Sequence, residues 1–160
     1  MRVANLAAMI VILCNMPAIS QGEVSDVHGA VTVKLHAIGV QIYQCKKTDH
    51  SALEWAFREP VAALIENGKS VGVHSAGPTW RMNDGSSIKG AVVKQAPGMA
   101  SLDIPWLELK TTERLGEGML SGVTGIRRVD TKGGNLSGPC SAEGSFAAVP
   151  YEAEYVFIKP

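Results

Sequence analysis

The chain predicts an all-β fold, a single-domain antiparallel β-sandwich or barrel with long loops and one disulfide. Three observations carry this expectation. Apolar and polar residues alternate with a period of two in successive short segments, glycine-bearing turn signals separate those segments, and no long amphipathic helical pattern follows the opening residues. A length of 160 residues suits one compact core better than two.

The first strand is predicted from Val31, where Val31, Val33 and Leu35 alternate with Thr32, Lys34 and His36. Past Gly39 the apolar set becomes Ile38, Val40 and Ile42, which predicts a bulge or tight bend at Gly39 that changes the buried face. Leu53, Trp55 and Phe57 alternate up to Pro60, and "VAALIEN" fits one helical turn or a further strand equally, so residues 60–67 stay open. "ENGKS" then turns the chain toward Val71 and Val73. Thr79 to Met82 and Ser86 to Lys94 flank "NDGS", where Gly85 can take the positive φ of a tight hairpin turn; this is the strongest hairpin signal in the chain. In "PWLELKTTE", Pro105 is admissible at a strand start, with Leu107 and Leu109 facing in and Glu108 and Lys110 facing out. "GVTGIRRVDT" reads as another extended run. "YEAEYVFI" sets Tyr151, Ala153, Tyr155 and Phe157 on one face, and residues 131–145 between these two runs form a long loop.

Compartment follows from the opening and the cysteines. Arg2, an apolar run from Leu6 to Leu13, Pro17, and small residues at Ala18 and Ser20 have the layout of a secretory signal over residues 1–20, leaving a β-rich domain over 21–160. The apolar run is too short to span a bilayer, and Leu13 stands where a lipidated Cys14 would want a small neighbour. Cleavage would leave Cys45 and Cys140 as the pair for a structural disulfide in an oxidising, secreted or periplasmic compartment. A metal pair or redox couple lacks both a CxxC and a nearby second ligand.

Charge and motifs exclude several function classes. Lys+Arg and Asp+Glu balance at 15 each without a like-charge block, so the basic footprint of a nucleic-acid binder is missing, and no stable membrane insertion is expected after signal cleavage. His28, His36, His50 and His74 show no H-x-H or HExxH spacing for a metal, and no G-x-S-x-G elbow marks a serine nucleophile. No cofactor is called for. Oligomeric state is not set by the sequence.

The ordered motifs "GVQIYQC", "GVHSAGPTWRMNDGS", "IPWLELK", "IRRVDTKGG" followed by Cys140, and "PYEAEYVF" resemble the domain-of-unknown-function family 3455 of secreted bacterial and fungal proteins, over roughly Ala30 to Ile158. The resemblance implies no activity that transfers to this chain. Some relatives carry a malate dehydrogenase label, yet a nicotinamide enzyme needs a strand, a G-x-G-x-x-G turn and a helix; "GEGMLSG" leads into β-type sequence, so that reading is rejected. This chain has Val61 after Pro60, where the family pattern carries Glu.

Candidate site residues remain. His74 and Asp84 share one motif-bearing segment and offer acid–base chemistry, but a tight turn also wants Asp84, and a structural histidine on the face opposite Val71 and Val73 also explains His74. Arg127 and Arg128 are adjacent in a strand, so one points inward; it needs an ion pair with an acid such as Asp103 or Glu154, or it receives a ligand near Thr131. Arg128 is the one that falls on the family's arginine. Trp80 and Trp106 suit either the core or an aromatic platform for sugars. "NLS" at Asn135 is a glycosylation sequon. The expectation is a non-catalytic ligand-binding or structural module, for a carbohydrate or other small molecule, with His74, Trp80, Asp84, Arg128 and Thr131 on its ligand face. The alternative is a small cofactor-free extracellular hydrolase or isomerase using His74 and Asp84.

Overall fold

A computed structural model describes residues 29–160. The expected signal segment, its cleavage point and His28 lie outside the described residues. Eight antiparallel strands follow one another around a closed barrel: β1 (Ala30–Lys47), β2 (Leu53–Glu66), β3 (Lys69–Ser75), β4 (Thr79–Met82), β5 (Ser87–Ala96), β6 (Trp106–Leu115), β7 (Gly125–Gly133) and β8 (Phe146–Lys159). Each strand pairs with its sequence neighbour, and β8 closes on β1 through a register running from Ala30 opposite Lys159 to Gln44 opposite Phe146. Of the two all-β architectures expected, the barrel is the one formed. Eight strands enclose an interior just wide enough for side chains or one small ligand.

The barrel has a filled end and an open end. Leu35, Leu64, Met82, Ile88, Leu109, Ile126 and Phe157 fill the first, joined by Leu120 and Val123 from the β6–β7 connection. Each of the larger apolar side chains contributes about 1.5–3 kcal/mol by leaving water. At the open end the β3–β4 turn, the β5–β6 connection and the β7–β8 loop surround the mouth.

The expected hairpin is β4–β5, with Gly85 at φ +92° in its turn. β8 buries Tyr151, Ala153, Tyr155 and Phe157 together, as its alternation predicted. The disulfide joins Cys45 and Cys140, with Cα atoms 5.8 Å apart, and the loop it holds is further tied to β2 by Trp55 N–H donating to Gly138 O and Cys140 N–H donating to Leu53 O.

The open segment resolves as strand, with β2 running through Pro60 to Glu66 and Asn67 beginning the turn, and two local expectations are corrected. The buried face of β1 does not change at Gly39; Leu35, Ala37, Gln41, Tyr43 and Cys45 are all buried while Ile38 is exposed. Gly39 instead allows close approach, since a Cβ there would collide with the Val61 carbonyl and Ala62. The change of face occurs in β2, where a bulge opposite Ile42 and Tyr43 leaves Arg58 unpaired between Phe57 and Glu59. Proline is tolerated beside such an irregularity. Finally, Glu108 is fully buried on the outward side of β6, with Lys94 and Arg127 opposite it on the flanking strands and Arg127 Nε 3.6 Å away. Long basic side chains can cover such a carboxylate with their stems.

Candidate functional site

The open end of the barrel holds a pocket of about 530 Å³, within the size range of small-molecule sites. Its construction begins with the β2 bulge. Because one residue is extra, Trp55 and Phe57 before the bulge and Pro60 after it all line the pocket, although strict alternation would have turned one set outward. Tyr43 of β1 packs edge-on against Phe57 with ring centroids 5.8 Å apart. Its hydroxyl donates to Gly134 O and accepts from Leu136 N–H, fixing the β7–β8 loop over the mouth.

The floor is polar. His74 at the end of β3 is 2% exposed, stacks on Trp80 with centroids 4.6 Å apart at 14°, and lies 4.9 Å from the Tyr155 ring. Burial pulls its pKa down to about 4, aided by the positive charge of Arg128 and opposed by the carbonyl of Thr79. The ring is therefore neutral at neutral pH. Its Nδ1–H donates to Thr79 O at 3.0 Å, which leaves Nε2 as an acceptor.

Arg128, on β7, projects into the barrel while Arg127 projects outward, as adjacent strand residues must. Its Nε and Nη2 both donate to Pro105 O, at 3.0 and 2.8 Å. No carboxylate pairs with it among the described residues: Asp103 accepts from Gly133 N–H and Ala100 N–H, and Glu154 is engaged by His36 and Lys34. The phenols of Tyr151 and Tyr155 lie beside one another and near the guanidinium, and burial raises both far above the usual tyrosine range. Neither hydroxyl completes a well-formed hydrogen bond, and Gln41 Nε2 and Trp80 Nε1 are likewise buried without a partner. No aspartate or glutamate lines the pocket, whereas Arg58 stands at its rim and Arg128 at its floor.

Of the five residues expected on a ligand face, the fold brings three together. His74 and Arg128 line the pocket, and Trp80, 1% exposed, supports His74 from beneath as a core residue. Thr131 stands behind the wall: its Oγ1 donates to Ile104 O at 2.7 Å, so Thr131 and Arg128 together hold the Ile104–Pro105 segment that forms one side of the mouth. Asp84 lies at the other end of the barrel. Its carboxylate accepts from Ser86 N–H, Ser86 Oγ–H and Met119 N–H, which clamp the β6–β7 connection over the filled end and hold its pKa below the usual carboxylate range. The acid–base pair of His74 and Asp84 is therefore not assembled. Trp106 starts β6 outside the pocket, so Trp80 and Trp106 form no shared platform. Asn135 Nδ2, the sequon nitrogen, donates to Ser101 O.

Gln41, Trp55, Phe57, Arg58 and Tyr43 were not singled out by the sequence. Gln41 carried a signal: it shares odd parity with Leu35 and Ala37, so an uninterrupted first strand turns its amide inward. Among the described residues no group of three or more His, Cys, Asp or Glu side chains could hold a metal ion, and no helix is long and apolar enough to cross a membrane.

No curated protein and no solved structure matches the chain. A family model does: the chain belongs to the family described as protein of unknown function (DUF3455), which matches residues 27–159, a span that contains all eight strands.

Proposed function

We propose that the protein is a non-catalytic binding module that takes a small molecule in the open end of its barrel. The observation that carries this reading is an apolar-walled pocket whose lining holds a cation without a carboxylate partner, Arg128, and a buried amide donor without a hydrogen bond, Gln41 Nε2. Leaving such groups unsatisfied costs about 1–3 kcal/mol each, and a ligand that satisfies them regains that energy on binding. A flat ring fits the walls, where Tyr43, Trp55, Phe57 and three prolines stand, with Gln95 and Asn135 as further polar lining.

A screen of small molecules by thermal shift tests the reading, since a ligand selective for the folded state raises its melting temperature. Val92 stands half-exposed on the rim, and Val92→Trp would fill the mouth. The expected result is a set of stabilising compounds whose effect disappears in that variant. Compounds that stabilise both proteins equally would place the binding surface elsewhere.

The same reading locates the protein outside the cytoplasm, secreted or periplasmic. The Cys45–Cys140 bridge and the signal-like opening support it. N-terminal sequencing of exported material should find a start near Gln21; retention of the opening residues would contradict it.

A further inference from the structure

Resting on that reading of the pocket, we infer that its ligand is a small organic acid, a flat apolar body ending in a carboxylate that is received by Arg128. The inference comes from charge. Every lining residue is apolar, neutral or cationic, and the arginine at the floor has only the carbonyl of Pro105 and the neighbouring phenols to answer its charge. A partly buried guanidinium is ordinarily met by a carboxylate or a cluster of carbonyls, because an unanswered charge in a low-dielectric site is costly. Here one carbonyl absorbs both of its bonded nitrogens, and the remaining N–H groups suit the planar, two-oxygen geometry of a carboxylate.

The groups around Arg128 sharpen the class. His74 is neutral, so it adds no second charge to the floor, and its free acceptor Nε2 suits a hydroxyl donor close to the acid group. The amide of Gln41, 2% exposed and without a partner, can donate to the same carboxylate. A dianion is disfavoured because the second cation, Arg58, already pairs with Glu59 at 3.1 Å and covers the Phe146 ring. Tyr43, Trp55 and Phe57 above the floor then receive a ring rather than a second polar end.

The test is titration calorimetry of the protein at pH 7 with two matched probes, 3-phenylpropionate and its neutral amide. The acid should bind at least about tenfold more tightly than the amide. Arg128→Met should abolish that preference while leaving amide binding within about twofold, and Arg128→Lys should restore part of it. If Arg128→Met fails to fold, the acid-to-amide ratio of the unaltered protein still decides the matter. Equal affinities would overturn the carboxylate assignment and leave the pocket reading standing; no binding of either probe at millimolar concentration would overturn both.

Discussion

His74 shows how one buried side chain ties the pocket to stability. The unfolded imidazole takes up its proton near pH 6.5 and the folded one only near 4, so between those values the unfolded state binds more protons. Its contribution is complete above pH 6.5 and is lost as pH falls toward 4, on the order of 3 kcal/mol in all. Urea unfolding at pH 7 and pH 4.5 should therefore show a drop that is smaller in His74→Phe, which keeps a ring on Trp80 but has no proton to gain. An identical drop in both proteins would show that His74 does not carry it. Asp84 stands in contrast. The sequence put both in one motif-bearing segment and offered Asp84 either a turn role or acid–base work; the turn role is the one the fold uses, because a hairpin carries its turn to the end of the barrel away from the residue that begins it. Proximity in sequence across β4 meant separation in space.

At the scale of elements, the clearest signals in the sequence were those written by short-range sterics. Gly85 was legible because "NDGS" between alternating runs demands a positive φ, and the turn adopts it with open space around the glycine. Gly85→Val should cost about 1–2 kcal/mol through that φ alone, measurable as a lowered urea midpoint; an unchanged midpoint would mean the turn tolerates a β-branched residue. The wall of the pocket was not legible. Its geometry depends on a one-residue bulge at Arg58, and nothing in "AFREPVA" states which residue will be extra until β1 is laid beside it. The apolar Ile38, Val40 and Ile42 suggested a change of face in β1, whereas the interior of a ligand-sized barrel accepts a glycine and a glutamine among its inward positions and leaves aliphatic residues outside.

The whole molecule divides its labour between its ends. The filled end carries the apolar core and the Asp84 clamp, while the open end carries the bulge, the β7–β8 loop and the disulfide that ties that loop to β1. The bridge spans a sequence separation of 95 residues, for which the chain-entropy account gives about 4–5 kcal/mol. Reduction should lower the urea midpoint accordingly, and an equal midpoint with and without reductant would contradict that role. All-β architecture and the cysteine pairing were legible because period and composition encode them. Barrel closure was not, since it rests on β8 meeting β1 across the full length of the chain. The division of ends is tested most directly by two-dimensional NMR of the protein during titration with 3-phenylpropionate. Shift changes should cluster at Gln41, Trp55, His74 and Arg128 and leave Asp84, Ser86 and Met119 unmoved; changes centred on the Asp84 end, or none at saturating concentration, would contradict an open binding end on a scaffold closed at the other.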